Sequence, residues 1–179
     1  MKYYKDKNNQ VYAYTSDGSQ DTHIKPVLVA ITEAEANALR FPPLSLEEFR
    51  AAKVAQIDAE TSAAILAGFA FAVDGEALHF SYDTNDQQNF ADTANAATLA
   101  LMNVPGIPTS VTWNGWKVSR DDGGGETSRS LVRLNLSPNE FLGLYMGGAL
   151  IHKATQMEIG GQRKAAAEVA TSVEALEGV

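Results

Sequence analysis

The chain has no cysteine, which removes disulfides and thiolate chemistry from consideration and is compatible with a reducing compartment. Basic residues are scarce: 14 Lys and Arg stand against 22 Asp and Glu, a formal net charge of −8. That balance argues against nonspecific nucleic-acid binding, which needs cations to neutralise phosphates, and no run of Lys and Arg is present. No stretch approaches the ~18 uninterrupted apolar residues of a membrane span. The start, MKYYKDKNNQ, lacks the apolar stretch of a secretory signal. What remains is ordinary for a folded protein: 179 residues, 45% hydrophobic and 20% charged, enough for one medium domain or a small module joined to one.

Four of the six tyrosines, Tyr3, Tyr4, Tyr12 and Tyr14, fall within KYYKDKNNQVYAYTSDGSQD. Strand-forming residues at 3–5 and 11–15 flank DKNN, so a hairpin with its turn at Asn8 and Asn9 is expected, with Tyr12 and Tyr14 on one face. An apolar run follows at 27–31. Thr32 and Glu35 then form a capping-box pattern that opens a short helix through about Leu39. Phe41-Pro42-Pro43-Leu44 marks a boundary, giving an N-terminal module over 1–43 and a second domain over 44–179.

Ser45 and Glu48 form a second capping box, and Leu46, Phe49, Val54, Ile57, Thr61, Ala64 and Ile65 make the stripe of a long amphipathic helix stopped by Gly68. FAFAVDGEALHFSY alternates around Asp74-Gly75, a strong hairpin signal. Thr84 and Gln87 suggest a third capping box on an Ala-rich helix with Phe90, Ala94, Ala97 and Leu101 on one face. SVTW and WKVS flank Asn114-Gly115, which predicts another hairpin. Asp121–Glu126 reads as a flexible polar loop, and 131–136 as a strand.

Ser137-Pro138-Asn139-Glu140 starts a last long helical stretch. Phe141, Leu144, Tyr145, Gly148 and Ile151 are expected on one side, continuing to Ala165, Val169, Val173 and Leu176. Gly160-Gly161 is expected to kink or break it. The whole order predicts an α+β fold: a small aromatic hairpin module plus long amphipathic helices with β-hairpins.

Chemistry is sparse. His23, His79 and His152 sit in different predicted elements without a ligand spacing. Asp83–Gln87 resembles a calcium loop, but its sixth position is Gln88 and its twelfth Ala94, so helix capping at Thr84 explains it better. Ser16–Asp21 reads as turn chemistry before it reads as a calcium site. Gly123–Gly125 lacks the Lys and Ser or Thr of a phosphate loop, and no GxSxG elbow occurs. No catalytic residue, cofactor site or metal site is assigned. Residues suited to partner binding are Tyr3, Tyr12, Tyr14, Trp113, Trp116 and Tyr145, the two tryptophans because they would flank the tight turn. Small residues in Tyr145–Ala149 suit either core packing or a helix contact between subunits.

The first ~43 residues, MKYYKDKNNQVYAYTSDGSQD followed by IKPVLVAITEAEANAL, resemble the N-terminal segment of phage tail-fibre assembly proteins. From about 45 to 179 the chain resembles a domain of unknown function common in phage and prophage tail-fibre loci. That likeness is carried by LEEFRAAKVAQIDAETSAAILAGFAF, YDTNDQQNFADTANAA, VTWNGWKVSRDD and LNLSPNEFLGLYMGGALIHKAT. GGQRK at 160–164 departs from it, where the family keeps an uninterrupted helix with a leucine before the lysine.

The resemblance implies a noncatalytic chaperone that binds a tail-fibre protein and assists its folding or trimerisation in the host cytoplasm. It leaves room for a homo-oligomer through the long helices. The alternative is a structural virion component retained in the tail, a tip cap or adaptor that touches the receptor. A small hydrolase acting on a surface polymer is a third expectation, which needs two inward-facing carboxylates or a histidine cluster in one pocket.

Overall fold

The computed structural model describes residues 1–179, apart from the side chain of Arg120. Helices and two separate antiparallel sheets make a mixed fold, and the chain divides into two compact units, Met1–Phe49 and Arg50–Val179.

In the first unit, β1 (Lys2–Lys5), β2 (Val11–Tyr14) and β3 (Val29–Ile31) form a sheet in the order β2-β1-β3. The hairpin turns where expected. Asn9 adopts a left-handed φ of 62°, and Asp6 Oδ1 accepts from the backbone N–H groups of Asn8 and Gln10 at 2.8 and 2.9 Å. Helix α1 (Glu33–Arg40) carries the expected box: Thr32 Oγ1 accepts from Glu35 N at 3.1 Å, and Glu35 Oε2 accepts from Thr32 N at 2.8 Å. The apolar run at 27–31 contributes a strand from Val29 only, and Val27 and Val29 remain exposed.

The SDGSQD turn consumes its acid. Asp17 Oδ1 accepts from both the hydroxyl and the N–H of Ser19 at 2.7 and 3.0 Å. The Ser19 hydroxyl, then Thr15, hold the carboxyl at a pKa of about 2. A depressed carboxylate favours the folded turn above its ordinary pKa, and that contribution disappears as pH falls towards about 2. NMR titration should place the Asp17 midpoint there, and Ser19→Ala should move it up towards the ordinary carboxylate range.

Helix α2 (Leu46–Leu66) opens with the Ser45–Glu48 box, and Gly68 with φ 82° turns the chain away after it. Its stripe is the expected one, with Ile57 fully buried and Val54, Thr61, Ala64 and Ile65 partly so. The second unit then builds a meander, β4 (Phe69–Val73), β5 (Glu76–Phe80), β6 (Val111–Arg120) and β7 (Glu126–Leu136), in sequence order. Val73 pairs with Glu76, so Asp74 and Gly75 form a two-residue turn, both at positive φ, as predicted.

Asn114-Gly115 is not a turn. β6 runs straight through it and pairs with β7 from Val111↔Leu136 onward, and the reversal falls at Asp121–Gly125. Gly115 is there because of tertiary packing: a Cβ on it would lie 3.1 Å from the Phe80 ring and 3.3 Å from Leu78. The true loop is held by Asp121, whose Oδ1 accepts from Gly123 N at 3.0 Å and Gly125 N at 2.7 Å.

Helix α3 (Thr84–Leu101) is capped by Asp83, not Thr84: the Asp83 carboxylate accepts from Asp86 N at 2.8 Å. Phe90, Ala94 and Ala97 are buried as expected, but Leu101, the last residue of the helix, is exposed. Helix α4 (Pro138–Leu144) has the predicted Ser137–Glu140 box. It continues through a π-helical turn, Tyr145–Leu150, into α5 (Ile151–Val169), and α6 (Val173–Glu177) closes the chain. The π turn rotates the phase of the helix. Ile151 therefore points outward at 59% exposed, while Ala149 is buried and His152 turns inward. Ala165 and Val169 also face solvent, with Ala167 and Ala170 on the inner side instead, while Leu176 is fully buried as expected. Gly160-Gly161 neither kinks α5 into two helices nor breaks it.

One sheet face carries the core. Phe69, Leu78, Phe80 and Leu136 meet Tyr82, Phe90, Phe141 and Leu144. Gly148 lets the π turn sit on Phe69, since a Cβ there would lie 2.5 Å from that ring.

Candidate functional site

Within residues 1–49 the tyrosines divide between two sheet faces. Tyr3 pairs with Ala13 and Ile31, and α1 lies over that side. The Tyr3 hydroxyl donates to Glu33 at 3.2 Å, the Arg40 guanidinium sits 5.5 Å from its ring centre, and Ala36 beneath is fully buried. Burial and the Glu33 carboxylate push the Tyr3 phenol up. Tyr4 pairs with Tyr12 and Lys2 with Tyr14, which places Tyr4, Tyr12 and Tyr14 on the opposite face. The Tyr4 and Tyr14 rings meet edge to face at 5.7 Å, and the Tyr12 hydroxyl reaches Asp6 at 3.5 Å. The short helix thus takes the Tyr3 side and not the face of Tyr12 and Tyr14. All three remain half-buried.

In the second unit Trp113 and Trp116 both reach one notch, and Tyr145 does not. Trp113 and Tyr145 pack into the core; the Trp113 ring centre is 4.5 Å from Phe90 and 5.0 Å from Phe141, and Tyr145 stacks on Phe90 at 6.2 Å. Trp116 points to the other face, across from His79 on β5 and Leu131 on β7. β5 meets β6 at His79↔Trp116 and ends at Phe80, where the chain leaves for α3. The departure opens a notch of about 250 Å³, where Ser81, Asp86 and Asn89 face Thr112, Trp113, Asn114 and Trp116. Within it the Ser81 hydroxyl donates to the Asp86 carboxylate. The polar residues of this notch were not gathered into a site from the sequence, where Asp86 reads as part of a capping segment and Asn114 as a turn; an early end to β5 could have been suspected at Ser81–Asp83, where alternation stops.

His152 has structural partners. His152 Nε2 lies 3.0 Å from the Ile65 carbonyl, which can only accept, so this nitrogen carries the proton; the ring also packs near Phe69 and Tyr82. Glu35, Glu48 and Glu140 are all held below the usual carboxylate range by Thr32, Ser45 and Ser137, because they serve as helix caps. Among the described residues no polar side chain is buried without a hydrogen-bond partner, and no group of three or more His, Asp or Glu is placed to hold a metal ion. Among them, too, no helix is long and apolar enough to cross a membrane.

The second unit is thus a four-stranded meander with helices on one face and a polar, tryptophan-bearing notch at its side. The chain belongs to the family described as a domain of unknown function (DUF4376), whose model matches residues 48–177. No curated protein and no solved structure matches it.

Proposed function

We propose that this protein is a noncatalytic assembly factor that binds a phage tail-fibre protein through the Tyr4–Tyr12–Tyr14 face. The observation that carries the reading is the division of tyrosines: the module's α-helix covers the Tyr3 face, while three half-buried rings with polar tips gather on the other. Tyrosine suits contacts that are apolar in the ring and wet at the hydroxyl, and such residues dominate binding energetics. A trimeric fibre passes through intermediates with unpaired strand edges, which an acidic partner with an aromatic face can shield. The sequence resemblance of the first 43 residues supports the same partner.

Co-expression with the fibre protein encoded beside this chain tests the proposal; equal yields of soluble trimer with and without it would end the idea. At residue level, Tyr12→Ser with Tyr14→Ser should abolish fibre capture while the circular dichroism spectrum stays native. Tyr3→Ser should instead destabilise the module, because it removes the ring under Arg40 and the bond to Glu33. Loss of folding in the Tyr12 and Tyr14 variant would assign those rings to packing.

The notch favours a second reading, a virion component that touches the receptor. An indole beside Asp86, Asn89 and Asn114 offers an apolar platform ringed by amide and carboxylate groups, chemistry suited to a polyhydroxylated ligand such as a surface glycan. Mass spectrometry of purified particles separates the readings: stoichiometric presence supports the component, absence supports the assembly factor.

A further inference from the structure

The outer side of the last long helix is apolar and uncovered. Met146, Leu150, Ala154, Met157, Gly161 and Ala165 follow one another at steps of four, four, three, four and four residues, which keeps them on one side of the helix. Met146, Leu150 and Met157 are 61%, 41% and 57% exposed, and the three small residues are exposed as well. All six are uncharged. The inner side of α5 is occupied elsewhere: Gly160 lies against Thr61 of α2, Arg163 bonds Glu60, and Lys164 bonds Asp58.

The order of sizes along this row is large, large, small, large, small, small. Read backwards it becomes small, small, large, small, large, large, the complement of itself, and the spacing reads the same in both directions. Two copies laid antiparallel about a two-fold axis between Thr155 and Gln156 therefore bring Met146 against Ala165, Leu150 against Gly161, and Ala154 against Met157. Every large side chain meets a small one, and each small one leaves a socket. A Cβ built on Gly161 would meet nothing within 4 Å in its own chain, so that socket is open in the single copy.

We infer that this row is the seam of a two-fold symmetric dimer, and that its partner is a second copy of this chain. An isologous interface requires one surface to be complementary to itself under reversal, which this row satisfies. The seam is roughly 30 Å long at 1.5 Å per residue. Exposed Ala55, Ala59, Ser62 and Leu66 of α2 continue the surface beside it, since Ser62, Met157 and Gly161 line one groove between α2 and α5. A face two helices wide and 30 Å long is on the order of 600 Å² per partner, approaching the ~800 Å² of a standard stable interface. The seam is independent of fibre capture, and its failure would leave the tyrosine face untouched.

Sedimentation equilibrium of the purified full chain tests it. The wild type should be a dimer. Gly161→Leu sets two leucines against each other in the pair and should raise the dissociation constant at least about tenfold. It should leave the monomer folded, because the site is open and glycine is a poor helix former. Adding Leu150→Ala to Gly161→Leu exchanges the large and small partners and should restore association. A wild type that stays monomeric, a Gly161→Leu variant that dimerises as before, or a double variant that is not rescued would each overturn the seam.

Discussion

Phe90→Ala should lower the unfolding free energy of the second unit by about 3–5 kcal/mol, the cost of emptying a fully buried aromatic position. Phe90 is completely buried, and its ring is shared by more neighbours than any other: Phe69, Tyr82, Trp113, Phe141 and Tyr145 all lie within 6.2 Å, centre to centre. These neighbours come from β4, the link between β5 and α3, β6, α4 and the π turn, so the ring ties the sheet to its helical cover. Partial collapse is obstructed because Trp113 and Phe141 already touch each other at 5.0 Å. Urea denaturation followed by tryptophan fluorescence gives the number, since Trp113 and Trp116 both belong to this unit. A loss below about 1 kcal/mol would show that α3 and α4 can close over the gap, contrary to this packing.

Much of the fold was legible where the signal is local. Thr32–Glu35, Ser45–Glu48 and Ser137–Glu140 form reciprocal caps because the bonding groups are three residues apart and need nothing else. Asp74-Gly75 turned as read because both residues tolerate positive φ. Asn114-Gly115 carries the same local signature and misled, because Gly115 is required by Phe80 and Leu78 of a neighbouring strand. The third cap failed by one residue: Asp83 precedes Thr84, and its carboxylate takes the free N–H of Asp86 first. The π turn left no trace in hydrophobic spacing, yet it decides that Ile151 faces out and His152 in.

The candidate sites were less legible, for a topological reason. Alternation placed Tyr12 and Tyr14 on one face correctly. Which face the helix would take depends on β3 crossing to pair with β1 on the side away from β2, and no residue in the hairpin encodes that. Trp113 and Trp116 looked like a pair because they bracket a supposed turn. On a continuous strand, residues three apart face opposite ways, so Trp113 packs on the core rings while Trp116 lies on the other face, and both border the notch. The notch depends on where β5 stops, and its lining comes from three separate elements.

Gly160 and Gly161 are adjacent in a continuous helix and should respond to alanine in opposite directions. At Gly160 the added Cβ would lie 2.3 Å from Thr61 Oγ1 and 3.0 Å from Thr61 Cγ2. Rotating Thr61 about χ1 moves its Oγ1 and Cγ2 but leaves its Cβ 3.1 Å from the added methyl, so α2 and α5 must still separate. That strain is about 1–3 kcal/mol and competes with the gain of up to about 1 kcal/mol from replacing a helical glycine. Separation also strains the flanking Arg163–Glu60 and Lys164–Asp58 bonds and the two Arg50 contacts, to the carbonyls of Ala167 and Ala170, so the balance falls on the destabilising side. At Gly161 the same methyl meets nothing in its own chain, so at concentrations dilute enough to keep the chain monomeric only the helix gain remains, about 0.5–1 kcal/mol of stabilisation. Thermal melts of the two single variants should move in opposite directions, and Thr61→Ala should recover part of the Gly160→Ala loss by removing the two closest atoms. If Gly160→Ala melts above the wild type, α2 and α5 are not in close contact, and the glycine pair is a plain weakness of the helix after all.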